Sequence, residues 1–167
     1  MKDEIINQAK QLLYEYRLCD SCLGRLFREE VREGTNLQKG QSIRKQLNHS
    51  ECIVTQDCWL CKGLIDEIPH FVKLITDAIK EYEFETFLIG SKIDEEIQEK
   101  EQHLWEYLNL KETEPIKMEI NREIGKILEP QLGKTVDVLN PEIMAVIDTT
   151  YDVISLQITS LFIYGRY

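Results

Sequence analysis

The 167-residue sequence lacks several features that would place it in a familiar class. It has no apolar run of about 18 residues, the length that a membrane-spanning helix requires. Its polar start, Met1-Lys2-Asp3-Glu4, is not followed by the apolar core of a secretory signal. We therefore expect a cytoplasmic protein without a membrane partner.

Recognisable catalytic motifs are missing as well. The sequence contains neither a Gly-rich phosphate loop nor a His-Glu-x-x-His pair, and none of its three histidines stands in a known motif. Its acidic clusters are typical of solvated helix faces. The residues by themselves therefore assign no catalytic group.

Charge is distributed unevenly along the chain. The net charge of -10 argues against a nucleic-acid partner for the protein as a whole. Residues 1–62 nevertheless hold 10 Lys and Arg against 9 Asp and Glu, whereas residues 63–167 hold 10 against 21. This change predicts two domains, at 1–62 and 63–167.

Apolar spacing predicts a mixed α and β chain. Residues 5–16 repeat at helical steps, and two shorter helices follow, the second capped by Thr35 or Asn36. From Leu64 onward, helical patterns alternate with strand patterns, the last of which covers 161–164. We expect an α+β fold in which a helical N-terminal segment precedes an α/β domain.

Two Cys-x-x-Cys pairs carry the strongest chemical signal. This spacing lets both thiolates of a pair face one tetrahedral ion, and the four residues are Cys19, Cys22, Cys58 and Cys61. The 35 residues between the pairs must contain inserted helices, as the apolar pattern predicts. We expect one structural zinc with a closed shell of four thiolates.

Other uses of the cysteines are less favoured. A redox-active pair needs a strand before it, whereas Cys19 follows a helix. Cys52 has no partner at the paired spacing, so we expect an ordinary thiol there. Gly24 and Gly63 follow the two pairs, and we expect both to help the backbone turn its amides toward sulfur.

Cations concentrate in residues 17–45, which carry a net charge of +3. Three arginines there recur at steps of three and four, so that one helical face could present them to phosphate. Two cations follow on the next helix, and a weaker pair lies near residue 124. The predicted RNA-binding residues are Arg25, Arg28, Arg32, Arg44, Lys45, Arg122 and Lys126. The alternative is that they only pair with neighbouring glutamates.

Motifs along the whole chain resemble one family. They are Leu18 to Arg25, Thr35-Asn36 with Gly40 and Ile43-Arg44, Cys58 to Leu64, Glu119 to Lys126, and Leu161 to Tyr167. In this order they look like the archaeal tRNA pseudouridine synthases that modify T-loop uridines. The cysteine motifs and the Gly-Arg-Tyr motif are the most specific parts of the resemblance.

The resemblance implies an accessory region that binds RNA. In that family a zinc-binding segment is joined to a THUMP domain, an α/β module that grips tRNA. The catalytic domain, with its aspartate, follows the Gly-Arg-Tyr segment. The sequence ends at Tyr167, so the aspartate is carried over to no residue here. We expect tRNA as partner and no isomerisation by this chain alone. Three alternatives stay open for the chain: one subunit of a split enzyme, with a separate catalytic subunit as partner, the product of a truncated gene, or a free-standing RNA-binding relative.

Two other functions remain open at this point. A zinc-containing adaptor could dock a catalytic subunit without touching RNA, and residues 81–114, with 11 Asp and Glu against 3 Lys, suit such docking. A complete small enzyme with an unrecognised site is the second alternative. An isomerisation assay on the pure chain separates the enzyme from the other two.

Overall fold

A computed structural model describes residues 2–47, 57–110 and 114–158. The described residues form two compact units. The first comprises those of Met1–Ile65 and Lys100–Lys111, and the second those of Asp66–Glu99 and Glu112–Tyr167. The domain boundary predicted after residue 62 stays a prediction, while Cys52 and the strand predicted at 161–164 lie outside the described residues.

The helices follow the predicted apolar spacing closely. They are α1 Asp3–Glu15, α2 Asp20–Leu26, α3 Asn36–Lys45, α4 Ile68–Ile79, α5 Glu95–Tyr107 and α6 Ile116–Leu132, with a 3-10 turn at Ile65–Glu67. Thr35 caps α3 as expected. Its hydroxyl accepts from the Gln38 amide at 3.2 Å, and the Gln38 side chain accepts from the Thr35 amide at 3.0 Å. Within the described residues, no helix is long and apolar enough to cross a membrane.

In the first unit, helices α2 and α3 pack so closely that the backbone of each helix contacts the backbone of the other. A Cβ atom on Gly24 would lie 1.8 Å from the carbonyl oxygen of Asn36, and one on Gly40 would lie 1.8 Å from that of Asp20. This corrects the role expected for Gly24, which is helical and gives α3 room to approach. Gly63, with φ at +84°, does occupy a left-handed turn.

The second unit contains a four-stranded sheet in the order β2-β1-β3-β4. Its strands are β1 Thr86–Lys92, β2 Thr135–Val136, β3 Ile143–Asp148 and β4 Val153–Ile158. Strand β1 runs parallel to β2 and β3, whereas β3 and β4 form an antiparallel hairpin. The predicted α+β class is confirmed.

One face of this sheet forms the core of the second unit. Side chains alternate across a strand, so Phe87 and Ile89 share a face with their neighbours Ile143 and Ala145. All four are buried, and helices α4 and α6 contact each other and the sheet. Leu88 and Gly90 of β1, with their partners Met144 and Val146 on β3, alternate to the opposite face, where Leu88, Met144 and Val146 are half-buried.

Candidate metal centre and nucleic-acid interface

The four paired cysteines are positioned by two short backbone elements. Cys19 is the N-cap of α2, and Cys22 lies in its first turn. The second pair lies in the turn over residues 58–64, where Lys62 and Gly63 both have positive φ. The Trp59 amide donates to the Arg17 carbonyl at 2.7 Å, which places this turn beside the start of α2.

Their sulfur atoms converge with metal-site geometry. All four Sγ atoms lie within 4.8 Å of one another, and those of Cys19 and Cys61 are 3.8 Å apart. A tetrahedron with Zn–S bonds of about 2.3 Å has sulfur–sulfur edges of about 3.8 Å, whereas a disulfide needs about 2.05 Å. The cysteines are free thiols. Their donor set therefore fits a four-thiolate ion such as zinc.

Hydrogen bonds among the four thiols shift their pKa values in opposite directions. Hydrogen bonding with Cys19 and Cys58, reinforced by burial, raises the pKa of the Cys22 thiol. Hydrogen bonds from Cys19 and Cys22 lower the pKa of Cys58. Thiols bind a metal as thiolates, so binding of one cation by all four sulfurs would release protons from this cluster.

Two of the predicted RNA-binding arginines are buried. Arg25 is 3% exposed and forms an ion pair with the equally buried Glu101 of α5. Arg44 is 5% exposed and donates to the Asp20 carboxylate and the Leu18 carbonyl. Because phosphate cannot reach a buried guanidinium, this structure gives both arginines a role within the protein.

The other predicted cations of the first unit are more accessible. Helix α2 ends at Leu26, so Arg28 and Arg32 do not share the helical face expected for them. Arg32 and Lys45 are exposed, and Arg28 is half-buried. Three exposed glutamates, at positions 29, 30 and 33, lie in the same segment. RNA contact at these cations stays a prediction.

Two consecutive α5 residues that the sequence pattern did not single out contact the elements that carry the cysteines. The Lys100 ammonium donates to the Trp59 carbonyl at 2.9 Å and lies 4.9 Å from the centroid of its ring. The next residue is Glu101. Its burial was not predicted, because the many acidic residues of this helix indicated a solvated face. The spacing Ile97, Glu101, Leu104 was the available signal, because it places Glu101 on the apolar stripe.

A groove of about 750 Å³ lies beside α6 in the second unit. Most of its lining is apolar, with Met118 and Val138 substantially exposed. Four cations also line it, namely Lys92, Lys117, Arg122 and Lys126, together with Glu114 and Glu129. The structure therefore brings both predicted α6 cations to one groove.

Arg122 and Lys126 are partly neutralised by carboxylates. Arg122 donates to both oxygens of Glu114, at 3.0 and 3.1 Å, and to Glu123 at 3.0 Å. The hydrogen bonds with Glu114 raise the pKa of Arg122. Lys126 lies 3.7 Å from Glu123. Such exposed pairs are weak, so phosphate can compete for these cations.

Comparison with known proteins gives the chain a family relationship. Residues 71–148 match a family described as the archaeal Pus10 THUMP domain. The chain is 34% identical over 166 residues to the tRNA pseudouridine synthase Pus10 of Pyrococcus furiosus. It is 30% identical over 164 residues to that of Nitrosopumilus maritimus, and 31% identical over 193 residues to that of Methanopyrus kandleri.

The matches cover nearly all of this chain but less than half of each relative. Each covers 98% of this chain but only 42 to 44% of the relative, so the chain spans about two fifths of the length of these curated proteins. No solved structure gives a significant match. The resemblance predicted from the motifs is thus confirmed: residues 71–148 match the archaeal Pus10 THUMP domain, and the chain is similar along nearly its whole length to Pus10 tRNA pseudouridine synthases.

Proposed function

We propose that this chain is the tRNA-gripping region of a cytoplasmic tRNA pseudouridine synthase, which isomerises T-loop uridines. The observation that carries the proposal is the similarity to named Pus10 enzymes over 98% of the chain. The THUMP match in the second unit and the converging cysteines in the first support it. The region would hold tRNA while catalytic residues elsewhere act on the uridine.

The metal in this proposal is a structural zinc. Cys19, Cys22, Cys58 and Cys61 would hold it with four thiolates, which leaves no open position for a substrate or water. Its contribution would be to fix the turn over residues 58–64 against α2 and so stabilise the first unit.

The proposed tRNA contacts lie on two patches, one in each unit. In the first unit, Arg28, Arg32 and Lys45 would contact phosphate. Because three exposed glutamates lie in the same segment, we expect modest affinity from this patch. In the second unit, the α6 groove combines an apolar lining with four cations, which would contact the phosphates of the bound tRNA.

Catalysis is assigned to no residue of this chain. The groove lining supplies no nucleophile with a supporting base. A separate catalytic subunit, expected from the resemblance, finds no support in the comparisons. The relatives that bear the enzyme's name are longer chains, of which this chain covers 42%.

Salt titration of tRNA binding tests the proposal. We would compare the full chain with two double variants, Arg32→Ala with Lys45→Ala, and Lys117→Ala with Lys126→Ala. Removing one phosphate-binding cation lowers the salt slope by about one unit, so each double variant should lower it by up to about two. Fluorescence anisotropy with labelled tRNA measures affinity and slope together.

The matched control is Lys80→Ala. Lys80 is exposed in the second unit and lies 4.0 Å from Asp77, outside both patches. This variant should keep the affinity and slope of the wild type. If both double variants also keep them, neither patch contacts tRNA, and the protein-docking function becomes the better interpretation.

A further inference from the structure

We infer that three contacts hold the four-cysteine centre in place from outside and set the rate at which it loses its metal. We call them the braces, and they are made by Arg44, by Lys100 and by the Arg25–Glu101 pair. Arg44 controls the first step of metal loss. The inference rests on the proposed zinc centre. It assigns these residues a role as positioning residues, which contact the backbone and helices that carry the thiolates.

Each brace contacts a different part of the cysteine framework. Arg44, from α3, binds the carbonyl of Leu18 and the carboxylate of Asp20, the two residues that flank Cys19. Lys100, from α5, binds the carbonyl and the ring face of Trp59, next to Cys58. The backbone on either side of the centre is therefore fastened by a long cationic side chain.

The Arg25–Glu101 pair fastens the helix that carries Cys22. Arg25 follows Cys22 by three residues on α2, so its side chain lies on the same side of the helix. Glu101 immediately follows Lys100 on α5. Two consecutive α5 residues thus hold one cysteine pair each. Because the Arg25–Glu101 pair is almost fully buried, loss of either partner would leave an uncompensated charge in the interior.

Charge gives the braces a second effect. Zinc with four thiolates carries a net charge of -2, which the braces partly offset when they are cationic. Arg44 and Lys100 place positive groups on residues adjacent to ligands, whereas the nearby Asp20 is bound by Arg44. Residues that orient metal ligands from outside typically change metal affinity by about 10–100-fold when they are replaced.

Arg44 stands at the most vulnerable ligand. Cys19 is partly exposed, whereas the other three ligand cysteines are buried. A chelator or a proton therefore reaches the Cys19 sulfur first. Arg44 binds both residues that flank Cys19, so it restricts the backbone movement that would let this sulfur swing away from the metal. We place the rate-limiting opening there.

Metal transfer to a chelator tests the inference. Zinc-loaded full chain is mixed with excess chromophoric chelator, and the rate of zinc transfer is recorded. Arg44→Gln should release zinc about 10–100-fold faster than the wild type. Arg44→Lys keeps the charge but cannot bind both sites as a guanidinium does, so it should restore part of the retention. Lys10→Gln, which removes an exposed cation of α1 in the same unit, is the control and should be unchanged.

Circular dichroism before chelator addition separates positioning from loss of fold. Faster release by Arg44→Gln at unchanged helical signal, with partial rescue by Arg44→Lys, supports the inference. If Arg44→Gln does not fold, Lys100→Gln decides, since Lys100 is only half-buried. Release at the wild-type rate by the variant that folds overturns the inference. Wild-type chain without zinc overturns the metal proposal instead.

Discussion

Gly40→Ala tests the close packing that brings the first cysteine pair into place. The added Cβ atom would lie 1.8 Å from the Asp20 carbonyl oxygen. A carbon–oxygen contact needs about 3.3 Å, so α2 and α3 would have to separate by about 1.5 Å. Overpacking of this kind costs about 1–3 kcal/mol or more, against a gain of about 1 kcal/mol in helix propensity. Because a separation of about 1.5 Å is large, we place the cost at the upper end, about 3 kcal/mol, which leaves a net loss of about 2 kcal/mol.

The same separation should weaken the metal centre. Helix α2 carries Cys22, and a shift of about 1.5 Å is a large fraction of the roughly 3.8 Å sulfur–sulfur edge of a zinc tetrahedron. Gly40→Ala should therefore lose zinc more readily to a chelator, in parallel with its loss of stability. The free energy of unfolding and the retention of zinc are separate properties, yet we predict that this one substitution lowers both.

Urea unfolding of the zinc-loaded chain measures the stability change. Both tryptophans, Trp59 and Trp105, lie in the first unit, so their fluorescence reports that unit. Gly125→Ala is the control. Gly125 is also helical, but its added Cβ would meet only the Val136 side chain at 3.3 Å. That variant, followed by circular dichroism, should be neutral or slightly more stable.

The sign of the effect decides the reasoning. If α2 and α3 had space between them, Gly40→Ala would stabilise the chain by about 1 kcal/mol through helix propensity. A variant as stable as the wild type, with unchanged zinc retention, would refute the close approach of the two helices.

Two further predictions concern composition and activity. Cys58→Ser should lose the metal and the order of the first unit, whereas Cys52→Ser should keep both; elemental analysis showing one zinc per Cys58→Ser chain would contradict this. The pure 167-residue chain should stay at background in a tritium-release assay with T-loop-unmodified tRNA, and turnover would favour the complete-enzyme alternative.

Spacing in the sequence predicted the elements and the ligand set well. Apolar residues at steps of three and four located α1, α4 and α6, because a helix buries one face whatever it packs against. The Cys-x-x-Cys pairs predicted a cluster that the structure brings within 4.8 Å. Local geometry fixes these features, so local sequence carries them.

The burial of cationic side chains could not be predicted from local sequence. Arg25 and Lys45 both belong to the basic segment 17–45, yet Arg25 is buried and Lys45 is exposed. Arg25 is buried because Glu101, 76 residues away, supplies its counter-charge. No residue near Arg25 in the sequence indicates that partner. Glu101 lies in an acidic helix, and such a helix usually indicates a solvated surface.

The sequence by itself determined the family resemblance, the α+β class and the four cysteines with metal-ligand spacing. Tertiary structure alone decided which cations are accessible and which brace the centre. It also revealed that Gly24 and Gly40 serve helix contact, and that the α6 cations line an apolar groove. The physical reason is that secondary structure and ligand spacing depend on neighbours in the chain, whereas burial and ion pairing depend on residues brought together from far apart.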